Sequence, residues 1–297
     1  MRELPGALQW AAMAWAFASG SVVGSFLNVV VARVPAGESV VHPRSRCPSC
    51  KSPIAWYDNV PVLSWLLLRG RCRSCRVRIS FRYPMVELLG GAAALVAVSR
   101  HGLSIAALAE FGFAATLLAL SFIDLDTWLL PHVITVPLLV GGLVLSALHL
   151  TAAPSFLSSG GGAAAGWLSF AAISVVGEKL LKKEALGFGD VWLLGGIGAW
   201  LGLAGLLPVI LLASIQGTVV GLALIAMGRS QPGPSEPPVP VEPPLQPAAA
   251  PAPDPDADWV PPRNALPFGP FLAAGALEWL WLQGWLAEVV PAFSLFR

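Results

Sequence analysis

Long apolar segments alternate with short polar ones along most of the chain. A helix needs about 20 apolar residues to cross about 30 Å of hydrocarbon at about 1.5 Å per residue. The pattern predicts an all-α polytopic membrane protein with about eight transmembrane helices. The eight candidate segments are 8–32, 84–99, 103–123, 132–150, 160–181, 190–206, 208–228 and 266–287. The second and sixth are short, and the sixth and seventh are separated only by a tight turn at Leu207-Pro208.

Composition supports this class of protein. Of the 297 residues, 56% are hydrophobic and 12% are charged. Soluble domains carry about 25% charged residues, so this chain could not cover a soluble surface. The stretch from Met1 to Leu8 lacks the basic lead and the cleavage site of a signal peptide, and we expect the first apolar segment to be retained. A net charge of +1 indicates no particular partner.

Two polar regions divide the chain into five parts. We predict a first transmembrane segment (1–33), a basic cytoplasmic loop (34–83), a transmembrane core (84–228), a linker (229–265), and a last transmembrane segment with the C-terminus (266–297). Thirteen of the 33 residues in 230–262 are Pro, with hardly any core-forming side chains among the rest. Such a stretch cannot bury enough apolar area to offset its ordering entropy, so we expect a disordered cytoplasmic spacer.

The basic residues predict the orientation. Ten of the 18 Lys and Arg residues lie between Arg33 and Tyr83. If the chain has eight spans, one side of the membrane carries this loop, the end of the fifth span and the linker. That side then holds 15 of the 18 basic residues. The positive-inside rule makes that side cytoplasmic, so both termini face outward.

Two acidic motifs lie at ends of apolar segments: Ile123-Asp124-Leu125-Asp126 and Gly187-Phe188-Gly189-Asp190. The predicted orientation puts Asp124 and Asp190 at the same cytoplasmic boundary. Stranding a carboxylate in hydrocarbon costs about 2.5–3.5 kcal/mol, so an acid there suggests a functional site. The alternative is an ordinary interfacial acid that reaches water or caps a helix.

Two close carboxylates that share a proton can hydrolyse a peptide, because one takes a proton from water while the other protonates the carbonyl oxygen. Asp190 begins a span, where the helix dipole favours the ionised form, so we expect Asp190 to be the ionised partner. Gly187 and Gly189 lack a Cβ and would allow unusual dihedrals and close approach of a substrate. Asp126 should point to another helix face than Asp124, in a supporting or capping role.

All four cysteines lie in the basic loop, in two C-x-x-C pairs: Cys47, Cys50, Cys72 and Cys75. Two such pairs, 21 residues apart, are typical of a four-thiolate zinc site, which would be structural because no coordination position stays open. Two disulfides or free thiols are the alternatives. Few aromatic residues alternate with the arginines, so we expect no nucleic-acid partner and assign the basic charge to orientation and anionic lipids.

The motifs together resemble those of bacterial type IV prepilin peptidases, which are membrane aspartic proteases of the G-x-G-D kind. The likeness covers the whole chain, and the motifs occur in the family's order. Besides the two acidic motifs and the cysteine pairs, the resembling stretches are Gly24 to Pro35, Asn59 to Trp65, Arg82 to Glu87, Leu129 to Pro131 and Pro267 to Phe271.

The resemblance implies an enzyme of the bacterial inner membrane. It would cleave the leader from type IV prepilins or from pseudopilins of type II secretion, and then N-methylate the new terminus using S-adenosylmethionine. Such a substrate carries a short basic leader before an apolar helix. The first acid of each motif maps onto Asp124 and Asp190. The chain departs from the family at His132, where many relatives have an acid, in a stretched Ser158-to-Gly162 loop, and in the Pro-rich linker.

Three other functions remain open at this level. The nearest is a leader peptidase without the methyltransferase activity, since the sequence does not place a methyl-donor site. A transporter with a regulatory zinc ribbon would instead place its acids near mid-bilayer on broken helices. A scaffold would use the Pro-rich linker for docking, with no need for intact Asp124 and Asp190.

Overall fold

The computed structural model describes residues 6–181, 187–227 and 266–296, which form eight α-helices, two short 3-10 helices (Trp56–Asn59 and Pro291–Phe296) and no strand. The helices are α1 (Gly6–Arg33), α2 (Leu63–Leu67), α3 (Arg82–His101), α4 (Ile105–Thr127), α5 (His132–Ala147), α6 (Phe156–Leu181), α7 (Phe188–Ala226) and α8 (Gly269–Val289). The predicted all-α architecture is confirmed. The predicted linker, 229–265, lies outside the described residues.

Helix α7 combines the sixth and seventh predicted segments and breaks at Gly202. This residue has φ 75° and ψ 177°, a conformation open essentially to glycine alone. The Ser158 hydroxyl accepts the Leu203 N–H, which the break leaves without a helical partner. Pro208 lies inside the helix beyond the break. The expected turn at Leu207-Pro208 was therefore wrong, because a left-handed glycine reverses the chain earlier.

The two parts of α7, named α7a (188–202) and α7b (203–226), run in opposite directions. α7b packs against α8 with Gly205 facing Trp279 and Gly217 facing Phe271. Rising residue numbers in α7b thus meet falling numbers in α8, so the two helices are antiparallel. A reversal at Gly202 leaves α7a antiparallel to α7b.

The other long helices alternate in the same way. The contacts that set their directions are Gly20–Gly90 and Asn28–Tyr83 between α1 and α3, Arg82–Asp126 and Arg100–Glu110 between α3 and α4, and Gly162–Gly198 and Gly166–Leu194 between α6 and α7a. Asp124, Asp190 and the cysteine-bearing loop consequently lie at one end of the bundle, here named the site end.

Four helices in the described part of the chain are long and apolar enough to cross a membrane: α1, α4, α6 and α7. Helix α5 is apolar but has only 16 residues. The alternating directions match the predicted order of eight spans, whereas the number that actually cross a bilayer stays a prediction.

Helices α1 and α3 approach each other closely through small residues. A Cβ built at Gly24 would lie 2.7 Å from the Glu87 Cα and 2.7 Å from the Val86 carbonyl oxygen. Both obstacles are backbone atoms, which cannot rotate away. Small residues at such crossings let membrane helices associate through close backbone packing.

We expect Gly24→Leu to lower stability by about 1–3 kcal/mol, the usual cost of overpacking a tight contact. Gly160→Leu is the matched control, because a Cβ at Gly160 on α6 meets nothing within 4 Å. Thermal unfolding in detergent should show a lower midpoint for the first variant alone. Equal midpoints would contradict the close approach of α1 and α3.

Candidate active site and cysteine cluster

Asp124 lies in the last turn of α4 and is only 5% exposed. Its Oδ2 accepts a hydrogen bond of 3.0 Å from the backbone N–H of Gly269. A buried carboxylate is costly unless hydrogen-bond donors reach it. Gly269, the first residue of α8, therefore supplies the hydrogen-bond donor that the buried carboxylate at the end of α4 requires.

Gly269 suits this role for two local reasons. It is the first residue of α8, where backbone N–H groups have no acceptor within the helix. It also lacks a side chain, and a Cβ there would lie 2.6 Å from the Asp124 Oδ2. Glycine thus allows the helix start to approach the carboxylate directly.

Asp190 lies in the first turn of α7a and is 8% exposed. Its backbone N–H donates to the Gly187 carbonyl oxygen over 3.0 Å, whereas its Oδ1 is buried with no hydrogen-bond partner among the described residues. Its carboxylate is close enough to Asp124 to interact with that charge. The structure thus brings the two predicted acids together, although 66 residues separate them.

Leu130 packs between the start of α7a and the start of α8, which both lie near Asp124. A Cβ at Gly189 would lie 2.7 Å from the Leu130 Cβ, and one at Gly269 would lie 3.3 Å from its Cδ1. Position 189 thus requires glycine because Leu130 packs against it, and not because the backbone there has an unusual conformation. Gly187 has φ −62° and ψ 134°, which any residue adopts, so the expected unusual dihedral is absent there.

Asp126 faces away from this pair. The Nη1 of Arg82 contacts both of its carboxylate oxygens at 2.6 Å, and the pair is partly exposed. The Arg82 guanidinium also lies over the Phe122 ring, 5.1 Å from its centre. Asp126 therefore joins α3 to α4 beside Asp124.

The four cysteines form a compact cluster at the site end. Their Sγ atoms all lie within 4.8 Å of one another, and those of Cys47 and Cys75 are 3.8 Å apart. A tetrahedral zinc ion with Zn–S bonds of about 2.3 Å would space its sulfurs about 3.8 Å apart. None of the four forms a disulfide. The donor set and spacing thus fit a four-thiolate metal site.

The two cysteine pairs have matching backbone turns. Lys51 and Arg76, each following the second cysteine of its pair, have φ 59° and 60°. In both turns this residue donates its N–H to the carbonyl of the first cysteine, at 2.9 Å for Cys47 and 3.0 Å for Cys72. Isolated β-bridges flank both turns, Arg46 with Pro53 and Arg71 with Arg78. The loop thus contains the same knuckle twice.

Hydrogen bonds around two of the thiols favour the thiolate form. A hydrogen bond with the Ser52 hydroxyl lowers the pKa of Cys50 to about 6. Backbone hydrogen bonds from Cys75 and Ser74 lower the pKa of Cys72. Thiolates are the form that binds metals, so both shifts suit metal binding. Burial and the three neighbouring thiols act in the opposite direction on Cys75 and raise its pKa to about 11.

Sequence reasoning missed two residues whose contacts hold α8 against α4. No role was assigned to Gly269, although Pro270 beside it is typical of a helix start with free N–H groups. Glu110 is the other, an acid inside an apolar segment and only 7% exposed. It is contacted by His101 at 2.7 Å, and the Trp281 indole N–H donates to it over 3.0 Å, at the far end of the bundle.

Comparisons with known proteins show which family the chain resembles. Residues 18–101 match the Bacterial Peptidase A24 N-terminal domain, and residues 111–222 match the Type IV leader peptidase family. A prepilin leader peptidase/N-methyltransferase of Myxococcus xanthus (strain DK1622) is 42% identical over 98% of this chain and 96% of its own length. One of Burkholderia pseudomallei (strain 1026b) is 38% identical over 92% of this chain and 85% of its own length. One of Aeromonas hydrophila is 38% identical over 76% of this chain and 85% of its own length. No solved structure matches the chain.

This chain belongs to the type IV leader peptidase family. Its apolar helices and its relatives together make it a membrane protein.

We expect Gly269→Ala to lower the kcat of peptidase activity by roughly 100-fold, the scale on which small displacements of catalytic groups act. The added Cβ would displace the Asp124 carboxylate. Gly187→Ala is the matched control, because its Cβ would lie 3.8 Å from the Asp190 Oδ2, an ordinary contact. Steady-state kinetics on purified variants would measure both, and equal kcat values would contradict the close approach of α8 to Asp124.

Proposed function

We propose that this protein cleaves the leader peptide from type IV prepilins or pseudopilins and then N-methylates the new N-terminal residue. The observation that supports this most is the pair of buried carboxylates, Asp124 and Asp190, within electrostatic reach of each other. The relatives that match over most of the chain are named prepilin leader peptidase/N-methyltransferase. S-Adenosylmethionine is the methyl donor in this proposal, consumed as a second substrate.

In the proposed mechanism Asp124 is the base and Asp190 the acid. The Gly269 N–H stabilises negative charge on Asp124, whereas the free Oδ1 of Asp190 can carry a proton towards a substrate. This reverses the assignment expected from the helix dipole alone. Hydrogen bonding outweighs the dipole here because the donor contacts the carboxylate directly.

Water is the nucleophile. Asp124 takes one proton from it while the oxygen attacks the scissile carbonyl carbon, and Asp190 gives its proton to the carbonyl oxygen. The resulting neutral diol collapses when a diol hydroxyl returns a proton to Asp190 and Asp124 protonates the departing amine. The dyad ends with one proton, as it began, and titrates as a unit.

We place the active site at the cytoplasmic side of the bacterial inner membrane. The basic loop precedes α3 at the site end, and the linker lies between α7b and α8, which also meet there. Together with Arg33 at the end of α1 and the three lysines at and just after the end of α6, these regions hold 15 of the 18 basic residues. The positive-inside rule then orients the site end towards the cytoplasm.

We assign the cysteine cluster to a structural zinc ion held by Cys47, Cys50, Cys72 and Cys75. Zinc bound to four thiolates would cross-link the two knuckles and leave no position for a substrate. Arg73, inside the second cysteine pair, forms an ion pair with Asp58 at 2.6 Å. That contact holds the pKa of Asp58 below its usual range.

Helix-end positions of the two acids favour a hydrolase over a transporter. Asp124 is in a last turn and Asp190 in a first turn, whereas the break in α7 lies far from both, at Gly202. A transporter site of the kind considered above would use the broken helix itself.

We expect Asp124→Asn and Asp190→Asn each to abolish leader cleavage, because neither amide can replace a carboxylate in proton transfer. Asp126→Asn should keep most of the activity, since it loses only a partly exposed ion pair. Mass spectrometry of a co-expressed prepilin would follow leader loss and, by the mass of one methyl group, N-methylation. Normal cleavage by either of the first two variants would refute the dyad. A mature but unmethylated product would refute the second activity.

We expect purified protein to contain about one equivalent of zinc by elemental analysis, as a four-thiolate site requires. Cys72→Ser should lose that zinc and lower the thermal midpoint. Ser52→Ala is the matched control, because it removes a hydroxyl beside Cys50 and no ligand. Full zinc content in Cys72→Ser would overturn the assignment.

A further inference from the structure

Four aromatic side chains form a closed circuit beside the Gly187-Phe188-Gly189-Asp190 motif. They come from the start of α5 (His132), from α6 (Trp167) and from the first two turns of α7a (Phe188 and Trp192). Their ring centres are 5.7 Å apart for His132 and Trp192, 6.1 Å for Trp192 and Trp167, 6.3 Å for Trp167 and Phe188, and 6.4 Å for Phe188 and His132. Neighbouring rings are inclined to each other by 55° to 85°. Each ring thus neighbours two others, and the four are here named the aromatic box.

The aromatic box lies at the level of the two acids. Helices α5 and α7a both begin at the site end, and they pack closely, since a Cβ at Gly196 would lie 3.1 Å from the Leu138 side chain. His132 precedes Leu138 by six residues, and Asp190 precedes Gly196 by six. His132 is therefore level with Asp190.

The box and the acid pair flank the first turn of α7a. Successive residues of a helix are about 100° apart, so Phe188 and Trp192 each project about 160° away from Asp190. A helix is about 10 Å across, which sets the separation between the box and the acids. A cleaved substrate would reach the box by moving its new N-terminus about 10 Å around the start of α7a.

The box is open to solvent and contains two unused donors. Phe188 is 52% exposed, and His132 is also exposed. The indole N–H groups of Trp167 and Trp192 are buried, and neither has a hydrogen-bond partner among the residues that the structure describes. Buried polar groups in folded proteins nearly always have a partner. The two N–H groups therefore indicate a ligand with an acceptor such as a carboxylate.

The four rings favour a cation of a particular kind. In a square with sides of about 6 Å, the centre lies about 4 Å from each ring centre, within the range of about 6 Å over which ring faces attract a cation. Lysine and arginine bring several N–H donors, whereas His132 alone among the four rings has a nitrogen that can accept. A sulfonium has no N–H group and loses no hydrogen bond on entering. The box therefore suits a sulfonium better than a basic side chain.

We propose that the aromatic box binds S-adenosylmethionine. The sulfonium lies between the four rings, and the carboxylate accepts hydrogen bonds from the indole N–H groups of Trp167 and Trp192. The proposal rests on the proposed function and assigns residues to its second activity, the methyl transfer.

Methyl transfer begins when the N-terminal ammonium freed by cleavage loses a proton to water. The amine lone pair then attacks the methyl carbon, and the C–S bond breaks with its electron pair left on sulfur. The positive charge passes to the methylated amine, and the thioether product, S-adenosylhomocysteine, is neutral. A neutral sulfur has no cation–π attraction to the rings, so the box favours the methyl donor over its product.

Phe188→Leu tests the proposal by removing one ring from the exposed side of the box. Isothermal titration calorimetry on purified protein in detergent measures the binding of S-adenosylmethionine and of S-adenosylhomocysteine. We expect Phe188→Leu to raise the Kd of S-adenosylmethionine about fivefold, the scale of a partly exposed cation–π contact, and to leave that of S-adenosylhomocysteine unchanged. Phe188→Tyr should restore the wild-type Kd, because it restores a ring. Phe26→Leu is the matched control, since Phe26 on α1 is 50% exposed and is not part of the box.

Two results of this titration would contradict the proposal. An equal loss of both ligands in Phe188→Leu would give the ring a merely structural role, and an unchanged Kd of S-adenosylmethionine would remove its role in binding. A short basic leader peptide is titrated in parallel. If Phe188→Leu weakened the binding of that peptide and not of S-adenosylmethionine, the box would hold a basic side chain and the proposal would be wrong.

The methyl resonance of S-adenosylmethionine with an isotope-labelled methyl group reports the site in the wild-type protein. Protons held over aromatic faces are shielded by ring currents, so the bound methyl resonance should move upfield, and by less in Phe188→Leu. A bound methyl resonance at its free position would overturn the box alone. A wild-type protein that cleaved prepilin, yet neither bound S-adenosylmethionine nor methylated the product, would instead overturn the N-methylation in the proposed function.

Discussion

Burying a carboxylate at the end of an apolar bundle demands a donor, and the Gly269 N–H supplies it to Asp124. The donor is available because the first N–H groups of a helix have no partner within that helix. The end of α4 and the starts of α7 and α8 must therefore meet at one point. Alternating helix directions bring these ends together, and Gly189 allows Leu130 to pack between them.

Carboxylate–N–H bonds join α4 to α8 at both ends. Asp124 accepts from Gly269 at the site end, and Glu110 accepts from Trp281 at the other. The two acids are 14 residues apart and their donors are 12 apart, or about 21 Å and 18 Å along the helices. Two such bonds set how far α8 can slide along α4. The distant Glu110 contact thereby helps to hold Gly269 beside Asp124.

The cysteine loop is connected to the same acids through α3. The Val62 N–H donates to the Glu87 carboxylate over 2.7 Å, which ties the loop to the first turns of α3. Arg82, at the start of α3, pairs with Asp126 two residues from Asp124. An ordered loop therefore supports the position of α3 and, through it, the end of α4. This gives the proposed zinc ion a mechanical link to the active site without any contact with substrate.

Segment length and residue spacing by themselves determined the helices, the cysteine quartet and the two acids at helix ends, because each depends on a local property. Only the tertiary structure decided that Gly202 rather than Pro208 reverses α7, and that Gly189 rather than Gly187 is sterically required. It also decided that Gly269, 145 residues from Asp124, donates a hydrogen bond to the carboxylate of Asp124. Such contacts join residues far apart in the chain, and they exist only after the helices pack. Local pattern shows which groups can react, whereas packing decides which of them meet.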